Sequence, residues 1–282
     1  MTAGEFHELV NCVWRGAIDI HVHAGPDPVA DRRFDAYEMA VAARDAGLRA
    51  VIFKSHEYPT VPVACLLNRL VPDFTVFGAI SLDNEVGGLN PVALEASAKM
   101  GAAKVWMPTY AADHWSTTYY GKPGIGVLDD KGALVPVVHD ILDLVEQYDM
   151  VLGTGHLSTV EQLELVSVAR KRDLKTVVTH ADMWIPVEAQ VAMARQGAFI
   201  EHAAVGCMPA SFGWSFDQVA EAVRATGPGA SILSTDLGQT DNPAPAEGMR
   251  MFIAAMLRAG FTKDEVELMV KVNPGRLLGL GD

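Results

Sequence analysis

The sequence has few cysteines and no long apolar run. Its three cysteines, Cys12, Cys65 and Cys207, lie far apart and form no CxxC pair. This spacing argues against both a disulfide framework and a thiolate zinc site, so we expect reduced core thiols. No segment approaches the roughly 18 apolar residues of a membrane span, and the N-terminus lacks the basic start and apolar stretch of a signal peptide.

Positive charge is also scarce. The chain carries 22 Lys and Arg against 35 Asp and Glu, a formal net charge of -13. An acidic surface repels phosphate backbones and anionic lipids, so we expect a small-molecule substrate and neither a nucleic acid nor a membrane as partner. The expected location is cytoplasmic. The Met-rich segment at residues 249–260 is either core or the contact of a homo-oligomer.

Short apolar segments rich in β-branched residues alternate with helix-like segments along the whole chain. The predicted strands are residues 16–23, 49–56, 74–83, 102–110, 150–156, 175–180, 197–204 and 231–236. Strands that are apolar on both faces and alternate with helices indicate a parallel sheet buried on both sides. We therefore predict an α/β fold, a single TIM-like (β/α)8 barrel domain over residues 1–282. An open doubly wound sheet with two extra strands is the alternative.

Two histidines end the first predicted strand. His21 and His23 in IDIHVH are two residues apart, so they share one face of the strand. By itself such a pair is more often structural than metal-binding. Other nitrogen and oxygen donors, however, end later strands: His56, His156, His180, His202 and Asp236. Strand ends of a barrel converge, and converging imidazoles and carboxylates indicate a divalent metal site at the C-terminal ends of the strands.

The ordered motifs resemble the amidohydrolase superfamily of metal-dependent barrel enzymes. They are HVH at 21–23, GTGHLS around His156, VVTHADM around His180, ILSTDLGQ around Asp236, and the tail VNPGRLLGL. The resemblance implies one or two divalent ions, most readily Zn²⁺ and alternatively Mn²⁺. His21, His23 and Asp236 would hold the first ion, and His156 and His180 a second or supporting position. The first strand begins near residue 16, so we expect the compact type without a flanking β-sandwich.

The fourth strand bears on the number of ions. Dihydroorotase-like members carry there a carbamylated lysine that bridges two ions, and Lys104 in AAKVWMPTY has a similar setting. Lys104 stands four residues before Pro108, whereas the family spacing is three, and a shift of one residue reverses the face of a strand side chain. Lys104 is therefore either a carbamylated metal ligand or a side chain that extends its charge to the surface on the helix side.

The resemblance implies a metal-dependent hydrolase that cleaves an amide, lactam, ester or lactone bond of a small substrate with an activated water. Asp236 would be the catalytic group that transfers the proton. Lys54 and His56 suggest an anionic substrate, and His202 and Trp106 are further substrate-binding candidates. Asp83 is a candidate at the rim of the site. The alternatives are a non-oxidative metal-dependent decarboxylase of a small carboxylic acid and a non-catalytic metal-binding barrel.

Overall fold

In the computed structural model, which describes residues 2–209 and 213–281, parallel strands alternate with helices. Each of the predicted strand segments contains strand structure, because their apolar residues are buried on both faces. The strands are β1 (Ile18–His23), β2 (Ala50–Lys54), β3 (Thr75–Phe77), β4 (Ala79–Ser81), β5 (Lys104–Trp106), β6 (Val151–Gly153), β7 (Thr176–Val178), β8 (Phe199–Ala203) and β9 (Ser231–Ser234).

Helices fill the connections between the strands. They are α1 (Ala3–Trp14), α2 (Ala36–Ala46), α3 (Val61–Leu70), α4 (Pro91–Lys99), α5 (Asp113–Trp115), α6 (Pro136–Gln147), α7 (Thr159–Lys171), α8 (Val187–Arg195), α9 (Phe216–Thr226), α10 (Pro245–Arg258), α11 (Lys263–Glu267) and α12 (Asn273–Leu277). Helix α7 begins with a capping box, in which Ser158 and Glu161 each accept a hydrogen bond from the other's backbone N–H. Two of the first, otherwise unpaired N–H groups are thereby satisfied.

The chain divides into two compact units. The first consists of Met1–Phe53, Ala64–Phe77 and Glu201–Asp282, and the second of Lys54–Val63 and Gly78–Ile200. The expectation that residues 1–282 form one domain stays a prediction.

In the first unit, the chain after β9 runs beside the end of β1. The N–H of Asp236 donates to the carbonyl of His21, and the N–H of His23 donates to the carbonyl of Leu237, both at 2.8 Å. A parallel bridge joins Val22 to Leu237. The backbone therefore aligns the end of β1 with the segment that follows β9.

In the second unit, β4, β5, β6 and β7 are hydrogen-bonded in that order and are parallel. Lys104 is aligned with Ala79 on one side and with Val151 on the other. Apolar side chains of the strands and of α4, α6 and α7 form a buried core that includes Leu94, Val105, Ile141, Leu152 and Leu165. The strands are thereby fixed in a register that sets which side chains share a face.

Gly78 divides the third predicted strand into β3 and β4. A Cβ atom at this position would lie 2.3 Å from Cα of Val61 and 2.8 Å from its nitrogen. Such distances are too short for any side chain, so the close approach of Val61 requires glycine here.

No disulfide joins the three cysteines in the described part of the chain, and the expectation that they are core residues is wrong. Cys12 and Cys65 are exposed and Cys207 is partly buried. Cys12 lies in α1 and Cys65 in α3, on the helix faces that point to solvent. Within residues 2–209 and 213–281, no helix is long and apolar enough to cross a membrane.

Candidate metal centre

His21, His23 and Asp236 meet in the first unit. Polar residues alternate with Ile20 and Val22 along β1, which places both imidazoles on one face of the strand. Nε2 of His21 and Nε2 of His23 each lie 3.0 Å from Oδ1 of Asp236. Counting one ligand atom from each residue, the three atoms lie within 4.8 Å of one another. The structure therefore brings these three predicted ligands together, and their role in holding an ion stays a prediction.

The backbone of Asp236 is held in a special conformation. Its φ of 52° lies in the left-handed region, which non-glycine residues rarely adopt. The preceding Thr235 is fixed by Asp19 of β1, which accepts hydrogen bonds from the Thr235 hydroxyl at 2.6 Å and from its N–H at 3.1 Å. Asp19 also accepts from the N–H of His21 at 3.2 Å. This carboxylate thus connects the strand of one candidate ligand to the segment of the other.

Asp19 and Asp236 are both buried, and their environments shift their acidity in opposite directions. Burial raises the pKa of the Asp19 carboxyl to about 7, although the hydrogen bonds from Thr235 and His21 oppose this shift. Burial also acts to raise the pKa of Asp236, but His21 and His23 outweigh it and hold that pKa well below its ordinary value. Asp236 is therefore the carboxylate that stays ionised beside the two imidazoles.

Glu201, on β8, is a functional candidate that the sequence analysis missed. Its Oε1 lies 2.8 Å from Nδ1 of His21 and accepts from the hydroxyl of Ser234 at 2.7 Å. A carboxylate at Nδ1 favours the proton on that nitrogen, so that Nε2 of His21 would offer its lone pair to an ion bound between His21, His23 and Asp236. Glu201 and His202 are adjacent in the strand and point to opposite faces. His202 was the predicted candidate of this pair, although alternation along the strand allows either residue.

The donor set of His21, His23 and Asp236 fits a divalent ion. Two imidazoles and one carboxylate are ligands that zinc commonly takes, and three protein ligands leave a position for water or substrate. The carboxylate behind His21 is the usual second partner of a metal-ligating imidazole. The chemistry of these residues therefore agrees with the ion that the resemblance implies.

His156 and His180 form part of a second cluster, which lies in the second unit. Their ring centroids are 4.8 Å apart. Trp115 lies 4.4 Å from His156, and Trp184 lies 5.0 Å from His180. The two predicted ligands are thus close to each other and enclosed by indole rings, and their role in metal binding stays a prediction.

Lys54, Lys104 and Trp106 lie together in the second unit. Nζ of Lys104 is 4.1 Å from the centre of the Trp106 ring, and Nζ of Lys54 is 5.3 Å from it. Lys104 is completely buried, so the alternative in which it extends to the surface is wrong. The physical reason is that Gly153 of the neighbouring strand leaves room for it: a Cβ there would lie 3.1 Å from Cε of Lys104.

His56 is held by Thr109, which in turn contacts Asp83. Nδ1 of His56 lies 2.6 Å from the Thr109 hydroxyl, and its ring stacks on Tyr110 at 3.8 Å. Burial raises the pKa of the Asp83 carboxyl, while hydrogen bonds from Thr109 and Ala111 act in the opposite direction. Asp83 was predicted to be a rim residue, but it is fully buried. Thr109 was not among the predicted site residues.

His202 faces a different environment from Glu201. Its Nε2 lies 3.3 Å from the hydroxyl of Ser231, which itself donates to the carbonyl of Gly227 at 2.9 Å. These hydrogen bonds connect β8 to the start of β9. The substrate-binding role of His202 stays a prediction.

Comparison with known proteins gives a family match and structural likenesses. The model of a family of unknown function, DUF6282, matches residues 16–201. No curated protein matches this chain.

Several solved structures are similar over nearly the whole chain. An amidohydrolase from Pseudomonas aeruginosa has a TM-score of 0.70 at 13% identity, with 97% of this chain and 98% of that chain covered. The probable dipeptidase PvdM from the same organism has a TM-score of 0.75 at 10% identity, covering 99% and 98%. A putative 2-pyrone-4,6-dicarboxylic acid hydrolase from Pseudomonas putida has a TM-score of 0.66 at 13% identity, covering 95% and 98%. At such identities the likeness shows the fold alone, and it confirms the predicted α/β fold of the TIM-like (β/α)8 barrel type.

Proposed function

The chain belongs to DUF6282, a family of unknown function, and we propose that it is a metal-dependent hydrolase of a small substrate. The bond cleaved is an amide, lactam, ester or lactone. The observation that carries this proposal is the buried group of His21, His23 and Asp236, with Glu201 hydrogen-bonded to His21. A purely structural histidine pair would need neither the second carboxylate nor the left-handed backbone that brings Asp236 to both imidazoles.

His21, His23 and Asp236 would hold the ion. A divalent ion in this position would supply a Lewis acid for a carbonyl oxygen and would lower the pKa of a water molecule toward neutrality. Glu201 keeps His21 in the tautomer with the proton on Nδ1. Asp236 is ionised, so its carboxylate can take a proton from water and return it to the leaving group.

The named relatives support the class of reaction but not a substrate. Those reported above are called an amidohydrolase, a probable dipeptidase and a putative dicarboxylic acid hydrolase. Lys54, a substrate-binding candidate from the sequence, would suit a carboxylate-bearing substrate such as the dicarboxylic acid that the last of these names. We therefore propose a small acid or its cyclic ester or amide as the substrate class.

A metal-reconstitution assay tests the proposal. Protein stripped with a chelator is reloaded with Zn²⁺ or Mn²⁺ and offered lactones, cyclic amides and N-acyl amino acids, with acid release followed by a pH indicator. We expect turnover that depends on the ion and is lost in His21→Ala and His23→Ala, together with bound metal. His139→Ala is the matched control, because His139 is an exposed helix residue.

Two results would contradict the proposal. If His21→Ala and His23→Ala still bind the full amount of metal, these two residues do not form the metal site. Release of carbon dioxide from small carboxylic acids, without hydrolysis of any member of the panel, would favour the decarboxylase instead.

A further inference from the structure

A groove runs between α1 and α10 in the first unit, and none of its lining residues belongs to the candidate metal centre. Its volume is about 560 Å³, which lies within the range of about 300–1,000 Å³ that is usual for small-molecule sites. Most of the lining is apolar, with two arginines among it: Phe6, Val10, Met251, Ala254, Arg250 and Arg258. Sites for small molecules commonly combine an apolar wall with a few charged groups in this way.

The spacing along both helices directs these side chains into one groove. Arg250, Ala254 and Arg258 follow one another at intervals of four residues, so they share one side of α10. Phe6 and Val10 have the same spacing on α1. Val10 is buried and Phe6 is partly buried, which leaves part of the Phe6 ring open to a ligand. The groove is therefore built from one face of each helix.

The two arginines are held toward opposite ends of the groove. Nη2 of Arg250 donates to Oδ1 of Asn11 at 2.6 Å, in the second half of α1. The guanidinium of Arg258 lies 5.0 Å from the centre of the Phe6 ring, in the first half of α1. A helix rises by about 1.5 Å per residue, so Asn11 and Phe6 are about 8 Å apart along α1, and Arg250 and Arg258 are about 12 Å apart along α10. Two positive charges thus lie on either side of an apolar middle section.

Neither of these arginines has an acidic partner. Within residues 2–209 and 213–281, no carboxylate forms an ion pair with Arg250 or Arg258. The groups that hold them are an amide oxygen and an aromatic ring, both neutral, so their charges are not compensated. Arg32 and Arg172, by contrast, each form ion pairs with carboxylates. In a chain with a formal net charge of -13, two uncompensated guanidinium groups in one apolar groove favour an anionic ligand.

We propose that this groove binds a dicarboxylate in which an apolar chain separates the two carboxylates. Arg250 and Arg258 would each take one carboxylate, because the planar donor fork of arginine matches the two carboxylate oxygens. Phe6, Val10 and Ala254 would contact the apolar chain between them. The separation of the carboxylates should match that of the arginines, about 8–12 Å from the rise of the two helices. This inference does not rest on the proposed function, since the groove and the candidate metal centre share no residue.

Isothermal titration calorimetry of the full chain with sebacate tests the proposal. We expect sebacate to bind about tenfold or more tightly than decanoate, which has one carboxylate, and than succinate, whose carboxylates are too close together to reach both arginines. Arg250→Gln and Arg258→Gln should each weaken the binding of sebacate about tenfold or more, the usual effect of losing a hydrogen bond between charged groups. Arg69→Gln, at an exposed site of α3, is the matched control and should bind like the wild type.

A change in the middle of the groove gives an independent test. Ala254→Phe should abolish the binding of sebacate by filling the groove, whereas Ala192→Phe, at an exposed site of α8, should not. His23→Ala should bind sebacate like the wild type, which separates this groove from the candidate metal centre. The proposal is overturned if sebacate does not bind, if decanoate binds equally well, or if both arginine variants retain full affinity. A dimer that Ala254→Phe dissociates in sedimentation velocity would assign the groove to a second copy of the chain and would overturn it as well.

Discussion

Oε1 of Glu201 lies 2.8 Å from Nδ1 of His21, and both side chains are fully inaccessible to solvent. The two residues are 180 positions apart in the sequence, and they meet because β8 and β1 each direct a polar side chain into the first unit. A buried carboxylate in this position fixes the tautomer and the orientation of the imidazole as a metal ligand. Glu201 should therefore affect the affinity for metal through its hydrogen bond to His21 and not through a direct contact with the ion.

Glu201→Gln should weaken binding of Zn²⁺ by about 10- to 100-fold, because the amide can still accept from Nδ1 but lacks the negative charge. Competition with a chromogenic chelator measures the affinity. Glu188→Gln, at an exposed site of α8, should leave the affinity unchanged. Equal affinities of the wild type and Glu201→Gln would show that this carboxylate has no influence on the site.

Asp236→Asn should abolish turnover while a large part of the metal is retained. The amide oxygen can still coordinate an ion, but an amide cannot take a proton from water. Metal content by plasma emission spectroscopy and the rate in the hydrolase assay are measured on the same sample. Substantial surviving activity would contradict the assignment of Asp236 as the group that transfers the proton.

Lys104 provides the test of one ion against two. Protein prepared with Zn²⁺ or Mn²⁺ and bicarbonate should bind close to two ions per chain if a carbamate forms on this lysine. Lys104→Met should then lower the count toward one, and Lys99→Met, at an exposed site ion-paired with Glu95, should not. A wild-type stoichiometry of one would exclude the bridging lysine and leave the site of His21, His23 and Asp236 intact.

Asp27→Asn should destabilise the loop after β1 in a pH-dependent manner. Burial acts to raise the pKa of Asp27, but the N–H groups of Val29 and Ala30 and the Arg32 side chain outweigh it and lower the pKa. Since the folded state holds fewer protons than the unfolded state, the contribution of the carboxylate is present at neutral pH and is lost as the pH falls through the folded pKa.

Urea denaturation measures this effect. At neutral pH, the loss for Asp27→Asn should be about 1–3 kcal/mol, the usual cost of losing a charged hydrogen-bond partner. The difference from the wild type should shrink in acid. Asp31→Asn, at an exposed site in the same loop, serves as the control. A difference that is independent of pH would contradict the role of the ionised carboxylate.

The sequence alone predicted the strands and the identity of three neighbouring donors. Each predicted strand segment contains the observed strand, because buried parallel strands are apolar on both faces and the pattern is therefore local. His21 and His23 could be placed on one face because alternation along a strand has a period of two residues. Asp236 could be added because it follows a strand, where side chains of such folds converge.

Other features could not be predicted because they depend on contacts between distant segments. Glu201 becomes a candidate only when β8 brings it to His21, and Thr109 only when its hydroxyl reaches His56. The burial of Lys104 depends on Gly153 in the next strand, and no spacing within the fourth strand contains that information. The sequence by itself thus determined the order of the elements and the donors at strand ends. Tertiary packing decided which carboxylates orient which imidazoles, because hydrogen bonds of about 2.8 Å require positions that only the assembled strands fix.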